Sequence, residues 1–186
     1  KVTYGTEELE GTEGQVEFTL STGDKVTITP AEGATITHVD ETTVDNAFTW
    51  TVENESYYTK GEDTVGTLTI NPATLTIVTN SDSKEYDGDP LTAGGKATFG
   101  ETETTLTAGT DVSVALAGTE SVTVKITGTQ TPVGKINNTY TIAWGSVAST
   151  DYTVSATVGE LEVKTSSKEL KVESLDGEWT YDTAAH

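Results

Sequence analysis

The chain has 186 residues, with 10 Lys plus Arg against 30 Asp plus Glu, a formal charge of −20, and neither Cys nor Met. A charge of that sign and size repels phosphate backbones and anionic lipid headgroups, and the missing thiols remove disulfides, cysteine catalysis and thiolate-ligated zinc. Two imidazoles, His38 and His186, are too few for a histidine-rich metal centre, and no apolar run approaches the ~18 residues of a membrane span. The start in mid-pattern at Lys1 points to an interior fragment, with any export signal or anchor outside it.

Mean hydropathy is −0.34 and only 33% of residues are hydrophobic, values that in an acidic chain raise the question of disorder. Patterning answers it. About one residue in five is Thr, and apolar residues recur at every second position, which puts them on one face of a strand. In chain order the alternating runs are Val16, Phe18 and Leu20; Val26 and Ile28; Phe48, Trp50 and Val52; Leu68 and Ile70; then Leu75 and Ile77. They continue with Val112, Val114 and Leu116; Val122, Val124 and Ile126; Tyr140, Ile142 and Trp144. The last are Tyr152, Val154, Ala156 and Val158; Leu161 and Val163; and Leu170 and Val172. Turn-forming residues such as Ser21-Thr22-Gly23-Asp24, Pro30-Ala31-Glu32-Gly33 and Asn137-Asn138 separate them. The spacing predicts an all-β chain of small sandwiches and no helix. Outward positions are mostly Thr, Glu and Asp, so the charge reads as a solvated face that also guards strand edges.

The pattern repeats. Phe48-Thr-Trp-Thr-Val52, Tyr57-Tyr58 and Val65-Gly66-Thr-Leu-Thr-Ile70 match Tyr140-Thr-Ile-Ala-Trp144, Asp151-Tyr152 and Val158-Gly159-Glu-Leu-Glu-Val163. A second landmark occurs three times, as Tyr4-Gly5-Thr6, Tyr86-Asp87-Gly88 and Tyr181-Asp182-Thr183. A unit of roughly 80–95 residues is the size of an immunoglobulin-like sandwich.

Ser83-Lys-Glu-Tyr-Asp-Gly-Asp-Pro-Leu-Thr92 resembles the opening of bacterial surface repeats of the MBG/YDG immunoglobulin-like type. Thr127-Gly-Thr-Gln-Thr-Pro-Val-Gly134, Asn138-Thr-Tyr140 and Asp151-Tyr-Thr-Val154 are similar to that repeat's second half. Tyr4-Gly5 is similar to its Tyr-Gly variety. The resemblance extends over essentially the whole chain; the first unit departs from it in Tyr-Gly-Thr for Tyr-Asp-Gly and in a longer acidic segment, Ala34 to Asn46. It implies modular, secreted or cell-surface, adhesin-like proteins of bacteria and no catalytic residues.

Pro72 cannot donate to a ladder and holds Asn71 extended, so Asn71-Pro72-Ala73 is the expected hinge. Tandem repeats are expected at 1–71, lacking an opening strand, and at 72–165. Residues 166–186 are then the first strand, Leu170 to Val172, and the Tyr-Asp motif of a third repeat. That strand needs an edge, expected on the incomplete first unit of a neighbouring molecule or on the second domain.

Candidate chemistry is thin. Trp50, Trp144 and Trp179 are able to stack on sugars, but Trp50 and Trp144 share the parity of their apolar neighbours and are expected in the core. Tyr86-Asp87-Gly88 reads as a corner, with the ring plugging the sandwich end, Asp in an Asx turn and Gly at positive φ. Asp82, Asp87 and Asp89, or Asp40, Glu41 and Asp45, are carboxylate groups of the kind calcium takes, without EF-hand spacing. Lys25 and Lys125 have outward parity, which disfavours an isopeptide cross-link in the core. Thr27/Thr29, Thr35/Thr37, Thr67/Thr69 and Thr74/Thr76 are too irregular for an ice-binding face. A nucleophilic serine would have only His38 as base and no elbow motif, so no catalytic, cofactor or metal residue is assigned. The expected role is a structural stalk or spacer at the bacterial cell surface whose partners are neighbouring repeats. The alternative is a glycan- or host-protein-binding adhesin module using loop 34–46.

Overall fold

The computed structural model describes the whole chain except residues 13, 40–42, 182 and 184–186. Asp40 and Glu41 of the second acidic group, Asp182 of the third Tyr-Asp landmark and His186 therefore lie outside the described residues. The fold is all-β: among the described residues there are seventeen strands, most paired antiparallel, and no helix longer than the 3-10 turns Glu55–Tyr57 and Ser149–Asp151. The β-branched, alternating sequence supplies this directly, because Val, Ile and Thr fit a pleated surface and lose rotamer freedom in a helix. Two compact units form: Lys1–Thr74 with Ser146–Thr153, and Leu75–Gly145 with Val154–His186.

The first unit opens with a hairpin, β1 (Val2–Tyr4) and β2 (Glu7–Leu9), whose two-residue loop begins with Gly5 at φ 61°. Next come β3 (Glu17–Thr19), β4 (Lys25–Pro30), β5 (Val44–Asp45), β6 (Phe48–Val52) and β7 (Thr67–Leu68). β4 lies between β3 and β6, with Val26 opposite Val52 and Ile28 opposite Trp50, and β5 pairs with β7. Period two then puts Val26, Ile28, Trp50 and Val52 on one face. Phe18, Leu20, Val26 and Val52 are buried there, with Val2, Leu9, Ile28, Trp50 and Tyr58 packed against them.

The second unit is larger. Its strands are β8 (Ala73–Thr79), β9 (Asp82–Glu85), β10 (Gly95–Phe99), β11 (Thr102–Leu106), β12 (Val112–Ala115) and β13 (Ser121–Ile126), followed by β14 (Gly134–Asn137), β15 (Tyr140–Ala143), β16 (Tyr152–Thr157) and β17 (Glu160–Lys164). They form sheets in the orders β11-β10-β8-β16, β12-β13-β15 and β14-β17-β9, the β9–β17 pair being parallel. β8 is an inner strand of the first of these, and its Leu75, Ile77 and Thr79 are 0%, 0% and 3% exposed. Asn138, fully buried, ties the unit together: its side-chain amide donates to the carbonyls of Asn80 (2.9 Å) and Ala93 (3.0 Å), at the exit of β8 and the approach to β10. Gly128 packs so closely on Asn138 that a Cβ there would overlap it.

Part of the pairing scheme recurs in both units. β3-β4-β6 has the order of β12-β13-β15. The Leu20 N–H donates to the Asp24 carbonyl and the Leu116 N–H to that of Glu120, both at 2.9 Å. The Asn46 N–H donates to Gly66 O, and the Asn138 N–H to Gly159 O, both at 2.8 Å. The β1–β2 hairpin matches β10–β11, where Phe99 and Thr102 flank a two-residue loop starting at Gly100, φ 56°. Lys1-Val-Thr-Tyr-Gly5 and Lys96-Ala-Thr-Phe-Gly100 stand 95 residues apart.

This match corrects two expectations. Tyr4 corresponds in place to Phe99, inside a hairpin, whereas Tyr86 follows β9. The first unit also has no described strand in the places of β8, β9 and β16, rather than one missing opening strand. The last absence follows from the first: β16 pairs only with β8 in its sheet, and without such a neighbour the matching segment, 58–63, forms no strand. The third-repeat strand expected at Leu170 to Val172 is likewise not formed. Alternation orients side chains but provides no hydrogen-bonding edge, and both residues are exposed.

Asn138→Ala removes two side-chain hydrogen bonds to main-chain carbonyls and is expected to destabilise the second unit by about 1–3 kcal/mol. Denaturant melts followed at each unit separately should show the loss there and leave the first unit unchanged.

Candidate binding cleft

The face built by β4 and β6 in the first unit is not closed over. It forms the floor of a cleft of about 800 Å³, lined by apolar side chains that include Val16, Leu20, Val26, Ile28, Phe48, Trp50 and Val52. β1 contributes Val2 and Tyr4 to one wall, and Tyr58 with residues 59 and 61–64 forms another. Lys1, Gln15, Asn46, Glu62 and Asp63 add polar groups. The parity that placed Trp50 on the core face is correct. The ring is nonetheless only half-buried, because little covers that face.

Two polar latches hold the aromatic groups. The Trp50 indole N–H donates to Asp63 Oδ1 at 2.8 Å, and the Lys60 ammonium lies 4.7 Å from the Trp50 ring centre, within cation–π range. Tyr58 donates its hydroxyl to Asp24 Oδ2 at 2.6 Å, shares a 2.7 Å bond with the Thr22 hydroxyl, and meets the Tyr4 ring edge-on with centres 5.5 Å apart. The hydrogen bond to the Asp24 carboxylate holds the Tyr58 phenol above its ordinary value. Asn54 donates to the other Asp24 oxygen at 2.9 Å, so one turn aspartate fastens the chain leaving β6. Trp50 is thus an anchored wall of the cleft, not an open platform for a sugar.

The remaining sequence candidates are scattered. His38 Nδ1 lies 2.6 Å from Asp151 Oδ2, and the Val39 N–H donates to Asp151 Oδ1 at 2.8 Å. The His38 contact, then the Val39 bond, holds the Asp151 carboxyl below its ordinary range. Loop 34–46 is therefore fastened near its middle. Asp87 pairs with Lys84 at 2.7 Å and accepts the Asp89 N–H at 3.0 Å, while Asp82 accepts the Ser83 N–H. The ion pair with Lys84 lowers the Asp87 carboxyl. Among the described residues no three His, Cys, Asp or Glu side chains gather as metal ligands. Gly88 has the expected positive φ, 93°, and Asp87 the expected Asx turn. Tyr86, however, is 46% exposed and does not plug an end of the fold. Lys25 and Lys125 are surface groups paired with Glu17 (2.7 Å) and Asp111 (3.3 Å). Trp144 is half-buried beyond the end of β15, and Trp179 is exposed.

Sequence reasoning missed Asp24, Tyr58, Asp151 and Asn138 as organising groups. Asp24 had a visible signal in its Thr-Gly-Asp turn. The side-chain partners of Asp151 and Asn138 are 45 or more residues distant, and no local pattern announces them. Compared with family models, curated proteins and solved structures, the chain matches none.

A carboxyl held low in the folded state stabilises it fully above the unfolded value, and that contribution is lost as pH falls through the folded value. Melting temperature measured from neutral to strongly acidic pH should therefore show an acid-side loss in the first unit. Asp151→Asn is expected to lower stability at neutral pH and flatten that limb; an unchanged pH profile would show that the pair carries no linkage.

Proposed function

We propose that the chain consists of immunoglobulin-like β-sandwich repeats serving as a spacer in a secreted or cell-surface protein of a bacterium. The observation that carries this reading is the recurrence of one pairing scheme, hairpin then three-stranded sheet then Asn-to-Gly main-chain bond, at a nearly constant sequence offset. Units that contact only their neighbours add length without a larger core. A surface of Thr and carboxylates keeps such an array hydrated and discourages lateral sheet pairing. The likeness to Tyr-Asp-Gly surface repeats, the lack of cysteine and the scattering of the acidic groups support the same reading. The principal partners are neighbouring repeats, and no catalytic or cofactor role is assigned.

Deleting one unit of the pattern from the complete surface protein should shorten the reach of its distal end by one unit's length, read by single-molecule stretching, and leave ligand binding by other regions intact. A glycan and mucin screen of the present chain should show no saturable binding. Saturable binding abolished by substitutions in 34–46 would overturn the spacer reading in favour of an adhesin module.

A further inference from the structure

The chain enters the second unit through β8 and β9 and leaves it through β17, and β9 lies beside β17. The two run parallel, with Asp82 opposite Leu161, Ser83 opposite Glu162, Lys84 opposite Val163 and Glu85 opposite Lys164. Direction decides what a pull along the chain does to such a pair. Tension draws β9 toward its N-terminal end and β17 toward its C-terminal end, and in parallel strands these are opposite ends of the ladder. The strands must slide past each other, so the ladder bonds share the load and part together. A hairpin pulled apart by its two open ends loses its bonds one at a time instead.

The contact extends beyond the four residues of β9. Ahead of them the Gly159 N–H donates to Thr79 Oγ1 at 2.9 Å, the Glu160 N–H donates to Ser81 Oγ at 3.0 Å, and the Asn138 amide holds the Asn80 carbonyl at 2.9 Å. Gly159 packs so closely on Asn80 that a Cβ there would overlap its carbonyl. Beyond them the Tyr86 N–H donates to the Lys164 carbonyl at 2.8 Å. Leu161 and Val163, fully buried on β17, share a core cluster with Leu91. Just upstream, β8 is held along both edges, by β10 and β16.

We propose that the second unit is a load-bearing link, its β9–β17 ladder a shear clamp that keeps the unit folded when the chain is stretched. This rests on the spacer role above for the direction of load alone. The clamp has no neighbouring register in which to re-form as it slides. A slip of one residue turns the side chains of β9 to the wrong faces. A slip of two restores the faces but still breaks the bonds at Thr79, Asn80 and Ser81.

Force spectroscopy on the full chain, held at its two ends, tests the clamp, because forced unfolding is governed by the unfolding rate. The length between Ala73 and Lys164 should be released in a single rupture whose force climbs steeply with loading rate, as a short slide to the barrier requires. Gradual lengthening of that stretch at low force would overturn the proposal. Two prolines one residue apart then locate the resistance. N–H groups alternate between the edges of a strand, and that of Tyr86 points to β17, so that of Lys84 does too. The Ser83 N–H points to the free edge of β9 and donates to Asp82 Oδ1 at 2.8 Å. Lys84→Pro should therefore lower the rupture force by roughly half, and Ser83→Pro should leave it unchanged. Lys84→Ala, which gives up the ion pair with Asp87 but keeps the N–H, should also leave it unchanged. Equal forces in the two proline variants would overturn the clamp, and if Lys84→Pro does not fold, the rupture of the unaltered chain decides. A weak rupture does not touch the measurement of reach given above, and a failed reach measurement does not weaken a strong rupture, so the clamp and the spacer role fail separately.

Discussion

A β-strand satisfies its backbone only through its neighbours, and the fold of this chain depends on where such neighbours exist. β8 shows the constraint most fully. It gives β10 and β16 a common partner, buries Leu75 and Ile77 against the rest of the second unit, and delivers the Asn80 carbonyl to the Asn138 amide. One strand therefore meets three requirements at once: ladder hydrogen bonds, an apolar cover and an acceptor, just past its end, for the amide N–H of the buried Asn138. In the first unit the same surroundings occur without that strand, and each requirement is met differently. Residues 58–63 form no ladder, Trp50 leans on Asp63 and Lys60, and the apolar face stays open.

The first unit keeps its form through substitutes. Asp24 accepts from Tyr58 and Asn54 and so holds the chain beyond β6 across the β3–β4 turn. The β1–β2 hairpin contributes Val2 and Leu9 to the small core and Tyr4 to an edge-on contact with Tyr58. Among the described residues four buried side chains form that core, against a second-unit interior drawn from β8, β10, β11, β13 and β17. Less apolar burial means less hydrophobic stabilisation, at roughly 25 cal/mol for each Å² removed from water. The first unit is accordingly the weaker of the two.

Much of the fold was legible because alternation is a local property. Val26 and Ile28, Leu75 and Ile77, and Val122 to Ile126 declare their strands and their inward faces within a few residues. What alternation lacks is a partner. Leu170-Lys-Val172 has the same pattern as Leu75-Thr-Ile77, yet it forms no strand because no edge is beside it. The parity of Trp50 is right and its burial is not, for the same reason: the cover belongs to a strand that unit does not contain. Tyr4 and Tyr86 share only the tyrosine of a three-residue landmark, whereas the longer agreement of Lys-x-Thr-aromatic-Gly with residues 96–100 gives the spatial counterpart. The organising polar groups join positions far apart in sequence, so their identity was visible and their pairing was not.

The central claim is that one strand position, filled by β8 in the second unit and open in the first, decides how well each unit is closed. Residue-resolved amide hydrogen exchange on the dilute chain tests it directly. β8 and β10 should exchange only with unfolding of the second unit, while β1 and residues 58–63 exchange through much smaller openings. Equal protection of β1 and β10 in dilute solution would contradict the account.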